Sequence, residues 1–432
     1  MTDPQPSLAD VVSCLSAYDP NALSVAQAQA ILAACVQPVQ AIEKLALRSA
    51  LGRVLASDVI SPIDVPAHDN SAMDGYALSS AALQDRATVR LTVAGTTLAG
   101  DADADGKRLG PGECLRIMTG AVMPIGCDTV IPQEFTRDTG DGSISFDAAA
   151  VRAGDNRRFA GEDLKAGSAA LAGGRIINAA DLGLLASLGV AEVGVRRRLR
   201  VAFFSTGNEL RSVGETLDAG CVYDSNRYTI FGMLTRLGCD VIDMGVVRDD
   251  PAALEAALRT ACECADAIVT SGGVSVGAAD YTRQIMARLG DVGFWKIGMR
   301  PGRPMAFGKI TSNGRSAVLF GLPGNPVAVM VTFYFLARGA LLRMMGAAAL
   351  PPALMPVRSP APIRKKPGRT EYQRGILSRD AEGQMQVVIT GAQGSGILRS
   401  MSEANCMVVL GDAQGNVDAG DMVDVLLFDG LM

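Results

Sequence analysis

Between Leu199 and Gly346, short runs rich in Val, Ile and Phe alternate with stretches of helical period, which restricts this part of the chain to few folds. Such alternation builds a doubly wound, mostly parallel sheet with helices on its faces. Leu199 to Phe204 reads as a buried strand ending in Ser205-Thr206-Gly207. A helix capped by Ser225 runs to Leu237, and Asp240 to Val247 forms the next strand. Asp250 and Pro251 repeat the helix-start signal, Ala265 to Thr270 is a third strand, and Tyr281 to Leu289 a helix. Gly293 to Met299, Met305 to Lys309 and Ala317 to Phe320 are further strands. The last enters Gly321-Leu322-Pro323-Gly324-Asn325-Pro326, with Asn325 as the expected cap and Pro326 as the first helical residue. Open sheets of this kind bind ligands at the carboxyl ends of their strands, where these glycine and acidic turns fall.

Outside this unit the pattern changes. From about residue 88 to 148 apolar and polar residues alternate between Gly and Asp turns, as in a small β domain. Its flanks mix helical stretches with short strands, so it reads as an insertion in a linking unit. After Pro351-Pro352, strands separated by Gly, Asp and Ser suggest a β barrel. The expected class is multidomain α/β: a linking domain at 10–65 with 155–195, an inserted β domain at 66–154, the α/β domain at 196–346 and the barrel at 352–432.

Charge narrows the partners. With 40 Lys+Arg against 45 Asp+Glu the net charge is -5, so no nucleic-acid partner is expected and anion binding must rest on local clusters. Nine cysteines without a CxxC pair suit reduced, mostly buried thiols and a cytoplasmic protein. Met1 to Asp10 carries acids and prolines where a signal peptide needs basic and apolar regions. Val327 to Ala337, the longest apolar stretch, covers about half a membrane span and reads as a core helix, so no membrane partner is expected. The single histidine, His68, lies in a proline-rich loop and is read as a loop or hydrogen-bonding residue. Acid, base and metal work therefore falls mainly to carboxylates.

Three features carry candidate chemistry. Ser271-Gly272-Gly273-Val274-Ser275-Val276-Gly277 follows a strand and can turn backbone N–H groups toward an anion, or can simply let strand and helix approach. It lacks the Lys-Ser/Thr ending of a Walker A loop. Glu209, Asp249, Asp250 and Asp280 lie just beyond strand ends and can converge on one rim. Oxygen-only ligands of this sort suit Mg²⁺. Plainer roles remain open: Asp250 as a helix cap, Glu209 and Asp280 as caps or partners of surface bases. Lys296, Arg300 and Arg303, with Pro301, Gly302 and Pro304 stiffening the turn, suit an oxyanion or form a solvated basic turn. The run Arg196 to Arg198 reads as exposed charge. A second charged cluster, in another domain, combines the loop from Pro66 to Ala77 with Arg157, Arg158, Glu162 and Asp163.

The ordered motifs DNSAMDGYA (69–77), RIMTGA (116–121), GED (161–163), STGNEL (205–210), SGGVSVGAADYT (271–282) and GLPGNP (321–326) closely resemble the MoeA family of molybdopterin molybdenumtransferases and the related gephyrin E domain. The likeness runs from about residue 25 to the C-terminus. It implies an enzyme of molybdenum cofactor biosynthesis that takes adenylylated molybdopterin and molybdate, cleaves the adenylate in a Mg²⁺-dependent step, and releases AMP and molybdenum cofactor. It also implies a homodimer of elongated four-domain subunits, a Mog-like α/β domain and a cleft shared between subunits.

On that resemblance Asp74, Thr119, Arg158 and Asp163 stand on one side of the cleft, and Glu209, Asp249, Asp280, Lys296 and Arg300 on the other. Arg303, Arg369 and Ser395 match the molybdate-binding region. Asp74, Asp163, Glu209, Asp249 and Asp280 are the expected catalytic residues, the last three also the metal set. Ser271, Gly272, Gly273, Ser275 and Pro304 complete the substrate-binding set. The sequence departs from the family pattern at Arg300 and Arg303, where lysines are common, at Asn208 in place of Asp, and at Ala328 in place of Ser. A Mog-type adenylyltransferase and acceptor molybdoenzymes are the expected protein partners. The alternatives are a molybdopterin adenylyltransferase, which shares the Ser-Gly-Gly loop and acidic rim, and a gephyrin-like scaffold.

Overall fold

A computed structural model describes residues 7–13, 18–84, 86–101, 108–273, 280–348 and 351–428, the side chains of Asp280 and Tyr281 excepted. The α/β unit contains a six-stranded sheet in the order Asp240–Val247, Arg200–Thr206, Ala267–Ser271, Arg315–Leu322, Pro304–Ser312, Gly290–Lys296. The first four strands are parallel and the last two pairings antiparallel. Successive residues of a strand face opposite ways, so a sheet covered on both faces needs continuous apolar runs. Val201 and Phe203 join one core cluster, while Ala202 and Phe204 join another across the sheet.

Helix Ser225–Leu237 is capped by Asp224, whose side chain accepts from the Arg227 N–H, and not by Ser225. Its other end closes on Gly238 at φ +88°, the left-handed conformation that glycine adopts without strain. Asp250 caps helix Pro251–Cys264 through the Ala253 N–H, with Pro251 in the first turn. Asn325 holds the cap position before Pro326 without a side-chain cap bond. The helix that follows, Pro326–Met344, is long and apolar enough to cross a membrane, but it lies mostly buried and fills the larger core cluster.

The expected strand Gly293 to Met299 divides in two. Gly290–Lys296 stays in the α/β sheet, whereas Met299–Arg300 pairs in parallel with Thr370–Arg379 of the C-terminal unit. There the strands Thr370–Arg379, Met385–Ile389, Met355–Arg358, Met422–Leu427 and Cys406–Leu410 close into a five-stranded barrel, the first and last also pairing. The arginine turn thus sits where sheet and barrel meet.

A second six-stranded sheet gathers Thr129–Pro132, Gly75–Leu78, Glu113–Ile117, Thr88–Thr97, Ser143–Asp147 and Arg137–Asp138. The loop from Pro66 to Ala77 therefore carries structure: Asn70–Ser71 pairs with Arg157–Arg158, and Gly75 opens a strand. A Cβ on Gly75 would lie 2.1 Å from the Ile131 carbonyl oxygen, so strand contact there requires glycine. Two antiparallel pairs, Ile42–Ala46 with Glu192–Arg196 and Val59–Ile60 with Ala169–Leu171, lead the chain toward this sheet and back.

The basic run Arg196 to Arg198 corrects a reading from sequence, because it is tied into the protein. Arg197 makes two bonds to Asp266 at 3.0 and 2.9 Å, and Arg198 donates to the Gly238 carbonyl. The buried thiols agree with expectation: Cys114, Cys127, Cys239, Cys262 and Cys406 all have pKa values raised chiefly by burial.

Candidate functional site

The parallel strands end at a cleft of about 1060 Å³, bounded opposite by the arginine turn and the barrel loop Gln393 to Ser395. That volume suits a nucleotide-sized ligand. Its floor is the glycine loop. Gly272 and Gly273 have φ of +89° and +70°, and a Cβ on Gly272 would lie 2.7 Å from the Thr206 carbonyl oxygen. Ser271 is buried beside them, and its Oγ accepts from Asn226 Nδ2 at 2.8 Å. The same Nδ2 donates to the Gly324 carbonyl at 2.6 Å, so one side chain ties two loops to the helix start.

Acids form one wall. Glu209 and Asp249 both line the cleft. The Asp249 carboxyl is raised above the ordinary Asp range, first by partial loss of hydration and second by the charge of Glu209, with a hydrogen bond from the Asn208 backbone opposing. Asn208 Oδ1 in turn accepts the Asp249 N–H at 3.2 Å. Thr206 Oγ1, Asp224 Oδ2 and Asn226 Oδ1, all on cleft-lining residues, are buried without a partner. A carboxylate and an amide oxygen can only accept, so two of these atoms call for donors or a cation from solvent or a ligand.

Arginines form the other wall. Gly302, at φ +97°, permits the turn between Arg300 and Arg303, and a Cβ there would meet Thr332 Oγ1 at 2.3 Å. Glu371 is buried in the barrel strand, 3.1 Å from Arg369 Nε and 3.9 Å from Arg300 Nη1. Gln373 Nε2 donates to its other oxygen at 3.2 Å. Arg303 is exposed and has no carboxylate partner among the described residues. Ser395 lines the cleft, and its carbonyl accepts the Val327 N–H at 3.0 Å.

The cleft therefore brings together Glu209, Asp249, Ser271, Gly272, Gly273, Arg300, Arg303, Pro304, Arg369 and Ser395. Lys296 is not among its lining residues, and its N–H bonds the Pro20 carbonyl. Asp74, Thr119, Arg158 and Asp163 also lie outside it. The Thr119 N–H and Oγ1 donate to Asp74 Oδ1 at 2.8 and 2.7 Å, which lowers the Asp74 pKa. Arg158 pairs with Glu162, and the Asp163 N–H bonds the Val65 carbonyl. Asp280 begins helix Asp280–Leu289, with its side chain outside the described residues, as is all of Ser275. Sequence reasoning passed over Asn226, Asp224 and Glu371. Glu371 and Gln373 fall two apart on one face of the strand Thr370–Arg379, and in a strand this polar nothing local marks them as buried.

A multidomain α/β protein with a cleft between its parallel sheet and a β barrel, walled by acids on one side and arginines on the other, is the class these features define. The chain belongs to the MoeA family. Residues 23–189 match the MoeA N-terminal region (domain I and II), 202–343 a probable molybdopterin binding domain, and 356–428 the MoeA C-terminal region (domain IV). A molybdopterin molybdenumtransferase of Haemophilus influenzae is 42% identical over 392 residues, covering 90% of this chain and 95% of that protein. Molybdopterin molybdenumtransferase 2 of Mycobacterium tuberculosis is 35% identical, covering 93% and 98%. The crystal structure of a molybdopterin biosynthesis MoeA protein from Pyrococcus horikoshii superposes with TM-score 0.73 at 30% identity, covering 94% of this chain and 99% of that one.

Proposed function

We propose that this chain inserts molybdate into adenylylated molybdopterin, with Mg²⁺-dependent release of AMP, to give molybdenum cofactor. Family membership supports its being a transferase of molybdenum cofactor biosynthesis. The observation that carries the finer reading is a single cleft with carboxylates on one wall and arginines on the other.

The acidic wall fits Mg²⁺, which takes one or two carboxylates and keeps waters and substrate phosphate oxygens. Among the described residues no three such side chains form a closed metal cage, but Glu209 and Asp249 repel each other and Asp224 Oδ2 lacks a partner. Asp280, at the start of its helix, is the third proposed ligand. When bound, the ion would neutralise charge on the pyrophosphate and leaving phosphate. The Gly272 and Gly273 loop lets that group approach the backbone. Arg300, Arg303 and Arg369, with Ser395, hold molybdate, their planar guanidinium forks suited to its oxygens.

The working unit is a homodimer. Asp74, Thr119, Arg158 and Asp163 lie outside this cleft and serve that of a second copy. Val222 and Tyr223, exposed at the cleft, and Tyr228 and Phe231 on the adjoining helix offer apolar surface for it. Four units divide the work: 10–65 with 155–195, 66–154, 196–346 and 352–432. The protein acts in the cytoplasm, receives the adenylate from a Mog-type adenylyltransferase and passes cofactor to acceptor molybdoenzymes. Product analysis tests the reading. With adenylylated molybdopterin, Mg²⁺ and molybdate the protein yields AMP and cofactor; with ATP and unmodified molybdopterin it makes no adenylate. Adenylate formation in the second mixture would make it an adenylyltransferase instead.

A further inference from the structure

Behind the arginine turn lies a smaller pocket of about 250 Å³, between Arg300 and Pro301 on one side and Arg364, Arg374 and Ile389 of the barrel on the other. Arg374 is wholly buried. Its Nε donates to Ser400 Oγ at 3.0 Å and its Nη2 to the Gly394 carbonyl at 3.1 Å, while Nη1 is buried without a partner. Those partners are neutral, and no described carboxylate pairs with this guanidinium. Glu371 is the one acid among the lining residues, and it already serves Arg369 and Arg300. Burial, and then the charge of Arg300, lower the Arg374 pKa to about 10, which leaves it protonated at neutral pH. A buried cation with an unused donor is costly, and a bound anion relieves both the charge and the missing hydrogen bond.

We propose that this pocket is a second oxyanion site, taking a tetrahedral dianion such as molybdate or sulfate. At about 250 Å³ the pocket has room for one such ion with part of its hydration and falls below the roughly 300–1,000 Å³ of ordinary small-molecule sites. Arg300 and Pro301 border both this pocket and the cleft, so an ion held here waits beside the reaction site. Its role as a waiting place rests on the proposed function, whereas the pocket's charge and its unused donor do not.

Equilibrium dialysis of the full-length protein against molybdate, with sulfate and phosphate as competitors, tests the site; crystals grown with tungstate locate it. Two ions per chain are expected. Arg364→Ala, at the exposed rim, and Ile389→Trp, which fills the pocket, should each weaken one ion about tenfold or more and spare the other. Arg303→Ala should do the reverse. Displacement by sulfate of the ion sensitive to Arg364→Ala identifies a general dianion site, and displacement by molybdate alone a dedicated one. A single ion per chain, with tungstate confined to the cleft, overturns the proposal. So does a second ion that neither Arg364→Ala nor Ile389→Trp affects.

Discussion

Glu371, 5% exposed, accepts a hydrogen bond from Arg369 Nε at 3.1 Å. Because Arg300 pairs with Glu371 across adjacent strands, the same acid also sets the arginine turn against the barrel. Glu371→Ala should cost about 1–2 kcal/mol, a modest figure because both arginines keep solvent contact that screens them. Thermal unfolding checks that loss, and the molybdate dependence of cofactor formation should shift to higher concentration. An unshifted dependence would separate Glu371 from the oxyanion site.

Asp249 gives the acidic wall a pH signature. A carboxyl whose folded pKa is raised contributes stability present below its unfolded value, 3.8, and lost as pH rises through the folded value. At neutral pH its charge beside Glu209 therefore works against the metal-free fold. Asp249→Asn should raise the melting temperature of Mg²⁺-free protein at pH 7, have no such effect below the unfolded value, and abolish AMP release. In Glu209→Gln the Asp249 carboxyl, followed by ¹³C NMR, should titrate at lower pH; an unmoved titration would show that the two acids do not interact.

The α/β unit is readable in sequence because its strands are buried on both faces, so Val201 to Phe204 form an unbroken apolar run. What sequence misses depends on distant partners or on one-residue boundaries. Ile297 and Met299 continue an apolar pattern, and nothing local says that the chain leaves one sheet for another whose partner strand begins at Thr370. Arg197 looks solvated until Asp266, 69 residues away, stands beside it. Asp224 and Ser225 are both good caps, and which of them serves turns on a single residue of helix register. The cleft's two walls were visible as strand-end acids and a proline-stiffened arginine turn. The buried amide of Asn226 between them was not, because its partners lie 45 and 98 residues away.

Asn226 supplies a prediction about shape. Asn226→Ala removes the bonds to Ser271 and Gly324 and leaves the Ser271 hydroxyl short of a donor in a buried place. The expected cost is about 1–3 kcal/mol, with the glycine loop loosened. AMP release should fall further than stability alone explains, since a folded fraction above nine-tenths would still turn over slowly. Wild-type rates in the folded variant would make Asn226 structural and nothing more.

Asp74 and Asp249 serve different walls of the proposed dimeric site. Asp74→Ala and Asp249→Ala are each expected to be inactive, and mixing them should restore activity through hybrid dimers that assemble one intact cleft. Mass spectrometry of differently labelled chains confirms subunit exchange. No recovery after exchange would place the working site within one chain.

Arg303 carries the last prediction. It stands exposed at the turn, held by Pro304 and by its own carbonyl, which accepts the Ile297 N–H at 2.7 Å. Ala328, in the cleft, offers no hydroxyl to an oxyanion, so arginine must supply more of the binding. One charge-assisted contact is worth about 1.5–3 kcal/mol, roughly a ten- to hundredfold change in affinity. Arg303→Ala should raise the half-saturating molybdate concentration by that factor and leave binding of the adenylylated pterin nearly unchanged. Arg303→Lys should recover part of the loss, since a point charge replaces a planar fork. Lys44, 74% exposed in a surface pair with Glu192, serves as the control, and Lys44→Ala should leave the molybdate dependence alone. If Arg303→Ala also leaves it alone, Arg303 is a solvated side chain and the oxyanion is held by Arg369 and Ser395.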